Sequence, residues 1–509
     1  MTGLRLRWCW AVRKATANRT IIALVLTHIA LLIVFAFFRY VDGDEGFYLS
    51  AAYQVSQGRL PYIDFFFPQM PYLPIAQSIV SGHGFATLYL SRLFGILPAI
   101  LGLLLFVRIV ISFISDRKAV MLAVGLYTLS GLILAWHSPA KTYAWTDLLL
   151  LMSYWGLIQI GRTKKQYWVV VAMVALALAV NFRLVLAAAI IPFGIGLWRT
   201  RESVSAVALI GGVLGGLLVS APSIYLFVTS PDRFVFDNFW FHTMRDPSLD
   251  LWSGIWQRAE TVGKLVINPQ IWVLTAVFIM ALRVRSKEAN GAVLSFWRSP
   301  AGLAALFALT LSLVYLLPAP IHQQYFVQAV PFVILASLPA LGRIASTEGM
   351  FGRWSSTRVI RIGTVMYLLA FLPYLAYYPF AFRESVQPYR ISNVSDLCEF
   401  VHDYPRPGPV FSEWSAVPVL SGRETMRGLE FVGFDYAVPI ADSMKRYYHL
   451  PVNEDLAQVL RARQPVLYVV WNAPDKALQA VADSNYIEAK RFDRWVVYER
   501  RGAPGVISR

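Results

Sequence analysis

Residues 39–74 read RYVDGDEGFYLSAAYQVSQGRLPYIDFFFPQMPYLP, and the rest of the chain is organised around them. The stretch lies between the first long apolar run and the second. Three carboxylates, Asp42, Asp44 and Glu45, stand where a helix would leave a bilayer. The stretch closes on aromatics and prolines (Tyr62, Phe65, Phe66, Phe67, Pro68, Pro71, Tyr72, Pro74), a composition suited to a membrane interface rather than to free solvent. Residues 42–58 have helical spacing and stop at Gly58. A short helix is therefore predicted, with Asp42 or Asp44 at its N-terminal end, where the helix dipole favours an anion. Asp44 and Glu45 are adjacent and cannot face the same way on that helix. One reading has one of them act as a general base and the other support it; the competing reading has both merely cap the helix.

Composition sets the class. The 509 residues are 57% hydrophobic and 15% charged, with a mean hydropathy of +0.52, far from a soluble domain. Apolar runs of about 18 to 22 residues recur, each able to cross roughly 30 Å of hydrocarbon. About eleven spans are predicted by length, near 20–38, 88–110, 119–136, 145–161, 167–181, 184–198, 204–228, 268–283, 301–318, 324–341 and 359–379. With a cytoplasmic N-terminus, the cytoplasmic connections hold roughly 20 Lys and Arg against about 8 opposite, the bias of the positive-inside rule. The net charge of +16 is thereby a topology signal, and a nucleic-acid partner is disfavoured. An odd number of spans sends the C-terminal segment to the exocytoplasmic face, most simply of a bacterial inner membrane. The Arg-rich N-terminal run lacks a small-residue cleavage site at Phe38-Arg39-Tyr40 and reads as an uncleaved anchor. Cys9 and Cys398 fall on opposite sides, so no disulfide joins them.

Beyond residue 382 charges and turns appear, and apolar runs shorten to strand length at 409–411, 466–471 and 495–498. The expected fold class is an α-helical polytopic membrane protein with a small C-terminal α/β domain. Residues 1–381 form the membrane part, with a functional loop at 39–87, and residues 382–509 an exocytoplasmic domain of usual size. No phosphate-binding P-loop or dinucleotide-binding glycine pattern occurs, which disfavours nucleotide-driven chemistry.

The string DEGFY at 44–48, then Gly58-Arg59-Leu60-Pro61-Tyr62-Ile63-Asp64-Phe65 and Gln69-Met70-Pro71, resembles the first outer loop of GT-C glycosyltransferases. The pattern is most like the protein O-mannosyltransferase and aminoarabinose transferase branch, and covers half to two-thirds of the chain. The resemblance implies a polyprenyl-phosphate-linked sugar donor and an acidic loop residue acting as base on a hydroxyl acceptor. It thus implies Asp44 as catalytic with Glu45 adjacent, and Asp42, Tyr48, Arg59 and Asp64 as substrate-binding or supporting residues. The acceptor is a glycan, a lipid or a protein.

Later connections supply further candidates. Lys141, in the turn before Trp145-Thr146-Asp147, meets a donor phosphate or lies among lipid headgroups. Asp147 at a span mouth supports the site or a metal, or caps its helix beside Thr146. Arg183, between two apolar runs, pairs with a lipid phosphate or snorkels. The connection at 229–264 is rich in aromatics, an interfacial belt or a lid, and carries His242 and Arg245, too few for a metal site. His322, Gln323, Gln324 and Tyr325 resemble the H-x-x-Y-F…P pattern that opens a late span of the family near the donor phosphate. Many relatives place Arg or Lys there, which this chain does not. A divalent ion is a further way to meet leaving-group charge, with no ligand set to name. Two other classes compete: a polymerase or ligase of lipid-linked glycans, expected to carry Arg and His in a large late loop, and a transporter, expected to show mid-span charges and paired halves.

Overall fold

The computed structural model describes residues 2–244, 251–286, 296–318, 321–346, 356–431, 438–474 and 476–502. Helix α1 (Thr2–Phe38) contains the first apolar span, and α2 (Gly43–Ser56) is the predicted short helix that follows it. The bundle continues with α3 (Ala86–Phe113), α4 (Arg117–Thr128), α5 (Gly131–His137), α6 (Tyr143–Thr163), α7 (Tyr167–Phe182) and α8 (Ile190–Arg199). Next come α9 (Ala206–Val219), α10 (Ala221–Thr229), α11 (Leu251–Ile267), α12 (Pro269–Ser286), α13 (Pro300–Val314), α14 (Val330–Ala336), α15 (Leu338–Ser346) and α16 (Ser356–Tyr377).

Among the described residues three helices cross a membrane's thickness unbroken by length and composition: Arg19–Phe38, Ala86–Phe113 and Thr357–Tyr377. Four pairs of apolar helices pass the same test only together and are bent at a short break, α4 with α5 at 49°, α9 with α10 at 57°, Trp252–Ile267 with Pro269–Arg283 at 85°, and Gln323–Ala336 with α15 at 46°. Three to seven of the eleven expected spans are thus accounted for by length and composition. Tyr167–Phe182, Leu184–Arg199 and Pro300–Val314 are shorter apolar helices. A bend inside hydrocarbon frees backbone groups that need partners. At the α4–α5 break Gln270 supplies them: its Nε2 donates to Leu129 O at 2.7 Å and its Oε1 accepts from Gly131 N at 2.9 Å. Gly131 is required there, because a Cβ would lie 2.2 Å from the Tyr374 ring.

The connection at 229–264 is largely helical rather than looped. Its main element, α11, carries Trp252, Ile255, Trp256, Val262 and Val266 at three- and four-residue spacing, with Trp252 and Trp256 about three-quarters exposed. That apolar stripe and the sharp turn into α12 suit a helix lying in the membrane interface.

The C-terminal region forms a four-stranded sheet of order β1-β2-β4-β3, from β1 (Val410–Ser412), β2 (Leu467–Trp471), β3 (Tyr486–Phe492) and β4 (Trp495–Arg500). β1 and β2 are parallel, and the other two pairings antiparallel. The helix at Ile391–Asp403 buries Val394, Leu397, Cys398 and Val401 in a core shared with Val41, Leu49 and Leu88 from the membrane part. Trp414 Nε1 donates to Gly43 O at 3.1 Å, and Val41 N to Tyr389 O at 2.8 Å. This region thus packs directly on the entry to α2. Residues 287–295 and 347–355, within connections read as cytoplasmic from their basic residues, lie outside the described residues.

Candidate active site

The chain leaves α1 and turns immediately into α2, and buried charges fix that turn. Asp42 is the N-cap: its Oδ1 accepts from Asp44 N at 3.1 Å, while its own N–H donates to Glu45 Oε2 at 2.8 Å, a complete capping box. Arg92 on α3 donates to Ala36 O, Arg39 O and Tyr40 O, closing the carbonyl end of α1. The same guanidinium grips Glu45, Nε to Oε1 at 2.8 Å and Nη2 to Oε2 at 2.6 Å. Ala140 N donates to Glu45 Oε1 at 2.8 Å. Glu45 is 0% exposed with both oxygens doubly occupied. Burial alone would raise its carboxyl, but Arg92 outweighs that and holds it below the usual value.

Asp44, one residue earlier, points the other way. Its side chain is 57% exposed; Oδ2 accepts from Lys141 Nζ at 2.9 Å, and Oδ1 has no donor among the described residues. Lys141 also meets Asp42 Oδ1 at 2.6 Å and lies 4.9 Å from the Trp136 ring centre. Burial would lower the Lys141 ammonium, but Asp42 and then Asp44 hold it well above its usual value. Burial likewise opposes the charge on Asp42, yet Lys141 and Arg39 bring its carboxyl down to about 2.

A pocket enclosing about 630 Å³ of empty space, part of it open to solvent, lies in front of Asp44. Lys141, Arg183, Tyr48, His242, His322, Gln324 and Tyr325 line it with Asp44. These side chains come from the first, third, fifth, seventh and ninth connections between the predicted spans, gathered at one end of the bundle. Arg183 ends α7 in extended backbone (φ −157°), with its guanidinium 4.7 Å from the Tyr143 ring, 4.9 Å from Tyr325 and 5.5 Å from Tyr315. It has no carboxylate partner among the described residues. His322 packs edge-on against Tyr325, and His242 Nε2 is 2.8 Å from Pro68 O.

Other predicted residues stand elsewhere. Gln323 adjoins the pocket without lining it. Asp147 is buried, 2.8 Å from His137 Nε2, and ties the two ends of the turn that carries Lys141. It does not cap α6, whose N-cap is Thr142. Arg59 pairs with Glu430 of the C-terminal region and donates to Gln54 at 2.6 Å, while Asp64 accepts from Leu60 N at 2.7 Å; both shape the loop after α2, away from the pocket. Arg245 lies outside the described residues. Sequence reading missed Arg92 and Arg39. Arg92 had a signal, a charge within an apolar span, which is buried only with partners. Phe47, Gln69, Tyr143 and Phe241 also line the pocket and were not read as site residues, although Phe47 and Gln69 lie in the strings that carry the resemblance.

Among the described residues no group of three or more His, Cys, Asp or Glu is placed to hold a metal ion. The carboxylate at the pocket, Asp44, is paired with Lys141.

No family model matches the chain, and no curated protein matches it. Among solved structures it resembles ArnT from Cupriavidus metallidurans bound to undecaprenyl phosphate, with a TM-score of 0.66 at 13% identity over 95% of this chain and 98% of that one. The apo form of that protein gives 0.65 at 14% identity over the same shares. The Archaeoglobus fulgidus oligosaccharyltransferase gives 0.51 at 14% identity over 93% of this chain and 72% of that one. At such identities the likeness carries architecture, and the chain has the fold of the GT-C glycosyltransferases.

Proposed function

We propose that this chain is an inverting membrane glycosyltransferase that moves a sugar from a polyprenyl-phosphate donor to a hydroxyl acceptor. The pocket faces the exocytoplasmic side, as the distribution of Lys and Arg requires. The observation that carries the reading is the composition of the pocket wall: one exposed carboxylate, Asp44, held by Lys141, and in the same pocket the guanidinium of Arg183, in a bundle of this fold. The donor supports it too, since a prenyl chain partitions beside the spans, and the ArnT relative binds undecaprenyl phosphate.

Asp44 accepts the acceptor's hydroxyl proton as that oxygen attacks the anomeric carbon. The bond from that carbon to the phosphate oxygen breaks on the opposite face, and its electron pair leaves with the lipid phosphate. Arg183 meets the charge that develops there, where fixed donors act most strongly, while Lys141, bound to both Asp42 and Asp44, orients the base. Proton removal by a positioned carboxylate is worth about 10² to 10⁴-fold. Glu45 serves as a positioning residue, holding Asp42, Arg92 and Ala140 in register so that Asp44 faces outward. The test is transfer from a panel of radiolabelled polyprenyl-phosphate sugars in membranes holding wild type or Asp44→Asn at equal expression. Turnover only with wild type supports the reading; full turnover in the variant overturns the assignment of Asp44.

A further inference from the structure

A second pocket lies at the other end of α6. Tyr143 lines the first pocket and Arg162 the second, about 28 Å apart along the helix at its usual rise, close to the thickness of a hydrocarbon core. Arg162 at the end of α6, Arg199 at the end of α8, and Arg298 just before α13 converge on it from three separate elements. Among the described residues no Asp or Glu lines this pocket, and it encloses about 640 Å³ of empty space, partly open.

The arginines are not simply solvated. Arg199 Nη1 is shielded from solvent and finds no acceptor among the described residues. Arg298 is close enough to Arg199 for their charges to repel. Arg162 is braced by Ser112 O at 3.0 Å and the Phe113 ring at 4.5 Å. Leu157, Ile158 and Leu303 form an apolar wall beneath them, and Trp198, two-thirds exposed, marks the depth at which indoles sit in a bilayer. A buried donor and two mutually repelling guanidiniums are relieved by one anion with several acceptor oxygens, the geometry guanidiniums match best.

We infer that this pocket binds a phosphate group, presented by an anionic phospholipid whose chains lie on the apolar wall. Binding at a basic pocket between spans is of the kind seen for lipid headgroups. It does not depend on the reaction proposed for the first pocket. The test is native mass spectrometry of the purified protein with phosphatidylglycerol, phosphatidylcholine or soluble glycerol phosphate. Wild type is expected to bind phosphatidylglycerol at least tenfold more tightly than phosphatidylcholine. Arg199→Gln and the exposed Arg298→Gln each lose that preference, while Lys165→Gln, a basic residue outside the pocket, retains it within twofold. Glycerol phosphate binding that is equally sensitive to Arg199 and Arg298 supports the site with a soluble source of phosphate. Binding unaffected by both arginine variants, or weakened equally by Lys165→Gln, overturns the inference.

Discussion

Glu45 and Asp44 are neighbours with opposite surroundings, and isosteric amides separate their roles. In Glu45→Gln the side chain keeps its shape but one oxygen becomes an NH₂ group. Each Glu45 oxygen accepts two hydrogen bonds, from Arg92 and Ala140 on one side and from Arg92 and Asp42 on the other. Whichever way the amide turns, two donors face a donor. Arg92, with its side chain 1% exposed, is left as a buried charge with its partner neutralised. Breaking such a pair costs about 3–5 kcal/mol. In Asp44→Asn the side chain is already more than half exposed, and Lys141 keeps its shorter contact to Asp42. The stability cost there is within about 0.5 kcal/mol, as for other surface changes. Thermal melting of detergent-purified protein, paired with transfer activity per folded molecule, distinguishes the two. Glu45→Gln is expected to melt many degrees lower, while Asp44→Asn melts with wild type and loses transfer by about 10² to 10⁴-fold. A Glu45→Gln protein as stable as wild type, or an Asp44→Asn protein that unfolds early but turns over normally, would refute this division of labour.

Three further outcomes follow from the same geometry. Lys141→Met removes the cation that holds the Asp44 carboxylate, and a charge-assisted hydrogen bond is worth about 1.5–3 kcal/mol; kcat/KM should fall by roughly 10 to 100-fold, and an unchanged value would free Lys141 of any role at the site. Gly46→Ala places a Cβ 2.4 Å from Trp414 Nε1 and 2.7 Å from Ala416 Cβ, so it should destabilise the protein by about 1–3 kcal/mol, whereas Gly43→Ala, with nothing within 4 Å of its Cβ, should be neutral in the same melts. Asp42, held down to about 2 from an ordinary 3.8, stabilises the fold fully above its unfolded value and loses that contribution as pH falls through about 2; melting temperatures of wild type and Asp42→Asn should differ at pH 5 and converge toward pH 2, and a constant gap would contradict the ion-pair assignment.

Much of this was legible in the sequence because it rests on local pattern. The largely helical, apolar first part, the short helix after α1 and the strands at 410–412, 467–471 and 495–500 follow from periodicity and apolar content, whereas breaks within the apolar runs are not visible in their length. Alternation of the connections foretold that Asp44, Lys141, Arg183 and His322 share one side. The choice between Asp44 and Glu45 was not legible, because it depends on Arg92, 47 positions further along and inside an apolar helix, and on Ala140 N, a backbone donor that sequence does not display. Residues 251–264 were read as part of a connection although their apolar positions recur at helical spacing; the aromatics drew attention to the interface and away from the period. β3 was missed because its exposed middle, Ile487 to Arg491, carries charge where an inner strand would carry apolar residues.

Purified protein reconstituted with the donor that proves active, followed to a single turnover, tests the central claim most directly. Inversion at the anomeric carbon should accompany release of one polyprenyl phosphate per sugar transferred, and both should vanish in Asp44→Asn that melts like wild type. Release of lipid phosphate undiminished in that variant, or a product with retained configuration, would contradict a single displacement driven by Asp44.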